Sequence, residues 1–132
     1  MLVKRVGYVG VRTKDVDGMT AFLRDVLGLE AGGEQEGMTF QKLPTNRLDL
    51  VEVYSEDLRN IRMIPDEADM VVGFVVDDIR EAMAEAKAAG LEFVNEPVWA
   101  SGTLEEPSTD DWAWFWVRAP DGRIYVIEQV PG

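Results

Sequence analysis

The chain of 132 residues contains two copies of one unit, and this repeat limits its fold more than any other feature. The segment VGVRTKDV begins at Val9 and VGFVVDDI begins at Val72, so equivalent residues lie 63 positions apart. Each segment leads into a helical pattern that ends in Gly-Leu-Glu, at Gly28 and at Gly90, an offset of 62. We therefore expect two modules of the same topology, the second helix being one residue shorter.

The first copy has the pattern of one strand, one helix and three strands. Apolar residues alternate over residues 6–13, which predicts a strand, and Asp15 or Asp17 is suited to cap the helix that follows. The helix should end before Gly28, where glycine accepts a left-handed backbone. Three strands are expected near residues 34–35, 38–43 and 47–54. The helix presents an apolar stripe at helical spacing, formed by Met19, Phe22, Leu23, Val26 and Leu27.

The second copy repeats this order. A strand over residues 70–76, a cap at Asp77 or Asp78 and a helix over 79–89 precede strands near 91–95, 112–118 and 123–130. Pro-Asp-Gly at 120–122 is a strong turn signal between the last two strands. We expect one α+β domain over residues 1–132, made of two βαβββ repeats (about 1–55 and 70–132) joined by a linker. The acidic loop over 98–111 is long enough to be either a solvated loop or a lid.

Composition excludes several classes of partner. The net charge is −12, so duplex nucleic acid and anionic membranes would be repelled. No apolar run is long enough to span a membrane, and the absence of cysteine makes the cytoplasm the expected compartment. Histidine is also absent, which removes the commonest metal ligand and the commonest base near neutral pH.

Three segments resemble the vicinal oxygen chelate superfamily, which includes glyoxalase I, bleomycin resistance proteins and extradiol dioxygenases. They are YVGVRTKDVDGMTAFLRDVLGLE from Tyr8, VVGFVVDDIREAMAEAKAAGLEF from Val71, and WFWVRAPDGRIYVIEQ from Trp114. The resemblance covers nearly the whole chain. It implies two βαβββ modules forming a cupped mixed sheet, with helices on the outer face and a small-molecule site inside the cup.

The family's enzymes hold a divalent metal in that cup with side chains from the first and last strands of each module. Carried onto this chain, the first-strand positions are Tyr8 and Val71, and the last-strand positions are Asp49 and Val126. Only Asp49 is a good ligand, and a shift of two residues would add Glu128. Because one or two carboxylates hold a divalent ion weakly against water, we expect no metal and no other cofactor.

Strand alternation predicts what fills the cup instead. If Val126 faces the cup, so do Ile124 and Glu128, while Tyr125 and Ile127 face a helix. With Phe115 and Val117 on the helix side, the alternating tryptophans turn into the cup. The predicted ligand-binding residues are Tyr8, Arg12, Met38, Phe40, Asp49, Trp112, Trp114, Trp116 and Glu128. Each has a purely structural alternative: core packing for the aromatic residues, an ion pair for Arg12, and a solvated rim position for each carboxylate.

An aromatic-lined cup without metal ligands favours a binding protein of the bleomycin-resistance type. The resemblance to that type implies a homodimer that sequesters a small molecule such as an antibiotic, and the indole rings favour an aromatic or cationic one. The alternative is a metal-independent isomerase or lyase that uses Asp49 or Glu128 as the catalytic base. A second alternative is a metal-dependent enzyme with oxygen ligands, and a third uses the tryptophans as a dimer or partner surface.

Overall fold

The computed structural model describes residues 1–103, 105–106 and 111–132. Within this part the chain divides into two compact units, the first unit (Gly7–Val72) and the second unit (Met1–Val6 with Gly73–Gly132). The elements in chain order are β1 (Arg5–Thr13), α1 (Val16–Ala21), a π-helical segment (Phe22–Val26), β2 (Glu30–Gln35), β3 (Met38–Leu43), β4 (Asn46–Ser55), β5 (Met70–Val75), α2 (Ile79–Ala88), β6 (Glu92–Phe93), β7 (Val98–Trp99), β8 (Ala113–Arg118) and β9 (Ile124–Gln129).

The first unit is a four-stranded mixed sheet with one helical segment. Its strand order is β2-β3-β4-β1, with β1 parallel to β4 and the other neighbours antiparallel. Asp15 caps α1 by accepting from the Gly18 backbone N–H at 2.9 Å, which satisfies one of the free donors of the first turn. The helical segment ends at Gly28, whose φ of +78° is the left-handed conformation expected there.

The apolar stripe of the first helix is only partly buried, in contrast to the expectation. Leu23 is 6% exposed, but Phe22 is 45%, Leu27 is 54% and Val26 is 71% exposed. For Val26 and Leu27 the cause is the π-helical segment, in which the Leu27 N–H donates to the Phe22 carbonyl five residues earlier at 3.1 Å. Since a π-turn takes up one residue more than an α-turn, the side chains that follow rotate away from the predicted face.

The second unit repeats the topology with the strand order β5-β9-β8-β6, and β7 pairs with β8. Asp78 caps α2 by accepting from the backbone N–H groups of Arg80 and Glu81 at 3.0 and 3.2 Å. One face of this sheet packs against α2 in a single apolar cluster that includes Phe115, Val117 and Ile127. Turn residue Gly122 has a φ of +91°, as the Pro-Asp-Gly signal predicts.

The α+β class and the βαβββ order are confirmed in each unit. The predicted strand over 91–95 shrinks to β6, and the two-residue strand β7 was not predicted. Residues 104 and 107–110, which belong to the candidate lid, lie outside the described part of the chain. Among the described residues, no helix has both the length and the apolarity needed to cross a membrane.

Candidate functional site

The side chains of the first unit divide between a face covered by the helical segment and a helix-distal face turned away from it. Thr39 shares a hydrogen bond of 2.7 Å with Thr20 of α1, and Gln41 accepts from Arg24 at 3.0 Å, so these residues mark the covered face. Alternation and strand register then assign the other face. It carries Tyr8, Gly10, Arg12, Met38, Phe40, Leu50, Glu52 and Tyr54.

Two tyrosines and a carboxyl group form a buried polar network on this helix-distal face. The Tyr8 hydroxyl donates to the Met63 carbonyl at 2.5 Å and lies 2.9 Å from the Tyr54 hydroxyl. Tyr54 is fully buried and also hydrogen-bonds to Glu52. Burial, followed by the neighbouring Tyr8 and Glu52, raises the pKa of Tyr54, which therefore stays protonated and acts as a donor.

Glu52 is the perturbed acid of the first unit. Its side chain is 7% exposed, and burial raises its pKa from 4.5 to about 7, partly offset by the hydrogen bond from Tyr54. A carboxyl group in this condition exchanges its proton near neutral pH, which is the property required of a general acid or base. No ion pair to Glu52 occurs among the described residues.

Gly10 lies opposite Glu52 in the pairing of β1 with β4 and makes room for this network. A Cβ atom at Gly10 would lie 2.5 Å from the Tyr8 hydroxyl and 2.9 Å from a ring carbon of Tyr54. Such contacts are closer than van der Waals packing allows. The glycine is therefore needed for the Tyr54 side chain to reach the hydroxyl of Tyr8.

Arg12 is committed to the backbone of the connection between the modules rather than to a ligand. Its guanidinium donates to the carbonyl of Leu58, to that of Ala68 at 3.1 Å and to that of Pro65 at 3.4 Å. It also lies 3.5 Å from a carboxylate oxygen of Asp66, and its side chain is 3% exposed. The prediction that Arg12 binds a ligand therefore gives way to a structural role in which it fixes residues 58–68.

Glu52, rather than Asp49, occupies the last-strand position of the first module. Asp49 lies on the same side of β4 as Val51, the register partner of Gln41, and so faces the helical segment, away from Tyr8. Glu52 pairs with Gly10 of β1, just as Val126 pairs with Gly73 of β5, and the two glycines are equivalent in the repeat. Glu52, which the sequence analysis missed, is therefore the counterpart of Val126. The signal was the repeat itself, because the glycine offset fixes the register of each last strand.

Met38 and Phe40 do lie on the predicted face. Met38 pairs with Tyr54 and is 6% exposed, whereas Phe40 pairs with Glu52 and is half-buried. The first unit thus places the ring-bearing residue Phe40 directly across the strand pair from its perturbed carboxyl group, in addition to the two tyrosines of the network.

Trp114 and Trp116 of the second unit lie on the sheet face opposite α2, as the alternation predicts. Trp114 pairs with Glu128 and Trp116 pairs with Val126, and none of these four residues belongs to the cluster under α2. Trp114 is half-buried, whereas Trp116 is 8% exposed. Trp112 directly precedes β8 and is half-buried. We name the surface formed by Trp114, Trp116, Val126 and Glu128 the tryptophan face.

Glu128 is 5% exposed and lies on this face, directly across the strand pair from Trp114. The position is more buried than the rim location that the sequence left open. The face thus combines two indole rings with one buried carboxyl group.

A family model for the glyoxalase/bleomycin resistance protein/dioxygenase superfamily matches residues 5–111. The chain therefore belongs to this superfamily. A search of curated proteins finds no significant match.

Solved structures of the same fold include enzymes of different activities. The Mn(II)-bound glyoxalase from Novosphingobium aromaticivorans is 26% identical, with a TM-score of 0.71 over 98% of this chain, which spans 40% of that protein. Methylmalonyl-CoA epimerase from Mycobacterium tuberculosis is 16% identical, with a TM-score of 0.69, covering 99% of this chain and 91% of that one. The 2,3-dioxygenase LapB from Pseudomonas sp. KL28 is 21% identical, with a TM-score of 0.69, covering 98% of this chain and 42% of that one. At 16% and 21% identity, the epimerase and the dioxygenase are similar to this chain in fold alone.

The donor atoms at the family's metal positions do not fit a divalent ion. Val71 and Val126 have no lone pair, and the Tyr8 hydroxyl is engaged with Tyr54 and Met63. Glu52 is left as the one carboxylate among the four positions, and one carboxylate binds such ions weakly. Across the residues described, no three acidic side chains cluster in a way that could hold a metal ion.

Proposed function

We propose that this protein binds a flat aromatic small molecule against its tryptophan face without a metal and sequesters it. The observation that carries the proposal is the placement of Trp114 and Trp116 on the sheet face that α2 leaves uncovered, although α2 has a complete apolar cluster of its own. Large indole surfaces that a core does not require are typical of ligand pockets. Trp114 is half-buried, so part of its surface is exposed to such a ligand.

Charge supports a cationic ligand. The chain carries a net charge of −12, and the tryptophan face includes the carboxyl group of Glu128. An electronegative protein concentrates cations near its surface, and indole rings attract them through their π-electrons. A polycyclic aromatic amine, the chemistry of several antibiotics, satisfies both requirements. Sequestration of such a compound in the cytoplasm would confer resistance to it.

The assembly we propose is a homodimer of a single domain made of the two repeats. Phe22, Val26 and Leu27 support association, because three large apolar side chains stand exposed on one helical segment. Light scattering coupled to size-exclusion chromatography should give twice the mass of the chain.

The proposal of a single domain has its own test. The protein should unfold in one cooperative transition, seen equally by tryptophan fluorescence and by far-UV circular dichroism. Two separate transitions would contradict the single domain.

The binding test uses tryptophan fluorescence with a panel of cationic polycyclic antibiotics. We expect saturable quenching, and recovery of the compound chemically unchanged. Trp114→Ala should weaken binding by more than about 1 kcal/mol, roughly fivefold, the scale of one lost aromatic contact. The matched control is Trp99→Phe, because Trp99 packs against the α2 cluster rather than on the tryptophan face. Equal affinities of the Trp114→Ala variant and the wild type would contradict the proposal.

A second candidate function, a metal-independent isomerase or lyase, is supported by Glu52. This residue combines burial with a pKa raised to about 7. It therefore takes the place of Asp49 as a candidate catalytic base, and Glu128 stays the other candidate. The test is solvent-deuterium exchange at carbon acids next to a carbonyl group, followed by NMR in the presence of a chelator. The enzyme would be favoured over sequestration if the exchange is lost in the Glu52→Gln variant and kept in the Asp49→Asn variant. Stoichiometric metal in the protein purified without added ions would instead support a metal-dependent member with oxygen ligands.

A further inference from the structure

The indole N–H of Trp116 is a buried donor that the described part of the chain leaves without an acceptor. The residue is 8% exposed, and its Nε1 atom has no hydrogen-bond partner there. Its main chain, by contrast, is fully engaged. The backbone N–H donates to Asn95 Oδ1 at 2.7 Å, and the carbonyl accepts from the Val94 N–H at 2.9 Å.

An unmade hydrogen bond of this kind is rare in a folded protein, because the N–H has lost its water without a replacement. The indole nitrogen can only donate, so whatever completes the bond must bring an acceptor. A phenylalanine would fill similar space without this penalty. An acceptor supplied from outside the chain removes the penalty when it binds.

The position of the donor connects it with the proposed binding face. Trp114 and Trp116 are two residues apart on one strand, so their Cα atoms are about 7 Å apart on the same side of the sheet. A polycyclic ring system is long enough to cover both positions. A ligand stacked on half-buried Trp114 is thus long enough to span the distance to the position of Trp116.

The overall acidity of the chain selects the type of acceptor. Glu128 lies on the same face, beside Trp114 and diagonal to Trp116, and the chain as a whole is strongly acidic. A carboxylate, sulfonate or phosphate on the ligand would be repelled there. A neutral carbonyl oxygen in the plane of the rings accepts the hydrogen bond without this repulsion.

We propose that the Trp116 N–H donates to a ring carbonyl of the bound aromatic molecule, so that the preferred ligand class is cationic quinones or ring ketones. This inference rests on the proposed function and adds the ligand's acceptor group to it. Trp116 is then a specificity-determining residue, whereas Trp114 supplies stacking that any flat ring system can use.

The test compares two cationic ligands that differ in the carbonyl oxygens, 2-(aminomethyl)-9,10-anthraquinone and 2-(aminomethyl)anthracene. The wild type should bind the anthraquinone more tightly. Trp116→Phe keeps a ring but removes the donor, so it should weaken anthraquinone binding about tenfold and change anthracene binding less than about twofold. Trp114→Phe, the matched control, should affect both ligands to a similar degree.

A second readout needs no variant of Trp116 to remain folded. A ¹⁵N-labelled sample gives one indole N–H signal for each of the four tryptophans, and the variants Trp99→Phe, Trp112→Phe and Trp114→Phe assign three of them. The remaining signal should move downfield with the anthraquinone and not with the anthracene.

The outcomes separate this inference from the function beneath it. If both ligands bind and Trp116→Phe weakens them equally, or the Trp116 signal stays in place with the anthraquinone, the carbonyl contact is overturned while aromatic binding stands. If neither ligand binds to the wild type, the proposed function fails and the inference fails with it.

Discussion

Arg12 offers the sharpest test of the structure, because one side chain holds the connection between the two modules. We expect Arg12→Met to release residues 58–68 while leaving the strands of the first unit intact. Methionine retains much of the apolar stem of arginine, so the change isolates the guanidinium group. The lost bonds are those to the carbonyls of Leu58, Ala68 and Pro65.

The size of the effect follows from the geometry. The guanidinium donates to the carbonyl of Leu58 and, at 3.1 Å, to that of Ala68, whereas its contacts with Pro65 at 3.4 Å and Asp66 at 3.5 Å are long and weak. Hydrogen bonds from a charged donor contribute about 1.5–3 kcal/mol each. With the side chain 3% exposed, solvent screens them little. Two such bonds predict a loss of about 3–6 kcal/mol in the free energy of unfolding, a large part of the stability of a small domain.

Urea unfolding measures the global change, and native-state proteolysis measures the local one. Trypsin cleaves after arginine, and both Arg59 and Arg62 lie within the clamped connection. Cleavage there should become much faster in Arg12→Met, with mass spectrometry identifying breaks after these two residues. The matched control is Arg59→Met, which removes a single exposed bond to the Asp66 carbonyl, at 3.0 Å, and should lose less than about 1 kcal/mol. A loss below about 1 kcal/mol in Arg12→Met, with unchanged cleavage, would refute the clamp.

Two further predictions concern a buried acid and a helix cap. The pKa of Glu52 rises from 4.5 to about 7 on folding, so its contribution to stability is complete below pH 4.5 and is lost as the pH rises through 7. At about 1.4 kcal/mol per pKa unit, Glu52→Gln should raise the free energy of unfolding by up to about 3 kcal/mol at pH 8 but change it little at pH 5. Urea titrations at the two pH values measure this difference. A difference that does not depend on pH would argue against a buried, protonatable Glu52. Asp78→Ala should lower the melting temperature by the equivalent of about 1 kcal/mol, because α2 loses its cap. The control Asp77→Ala removes only an exposed ion pair with Lys4 and should have a smaller effect. Equal shifts in the two variants would contradict the cap assignment.

Much of the fold was predictable because its signals are local. The strand Met38–Leu43 has the bounds that alternation gave, and α2 differs from its prediction by one residue. In both helices the cap and the terminating glycine follow from the chemistry of neighbouring residues. The π-helical segment escaped prediction because its apolar spacing also fits an ordinary α-helix, and only the hydrogen bond from Leu27 to Phe22 distinguishes them.

The candidate site was predictable on one strand pair and not on the other. Trp114, Trp116 and Glu128 could be assigned to one face because the Pro-Asp-Gly turn ties β8 and β9 into a single register. No such turn links β1 to β4, whose partners are 42 positions apart at Tyr8 and Leu50. An error in aligning β4 therefore led the sequence analysis to assign Asp49 to the position that Glu52 occupies.

The sequence by itself determined the repeat, the order of helices and strands, the helix caps and the alternation that collects the tryptophans, since each depends on residues a few positions apart. Only the tertiary structure decided that Glu52 is the perturbed acid, that Tyr8 bonds to Tyr54, and that Arg12 fixes a distant connection. These features depend on the register between strands far apart in the chain and on burial, which sets the pKa of a carboxyl group and the strength of a hydrogen bond. Alternation within one strand carries neither kind of information.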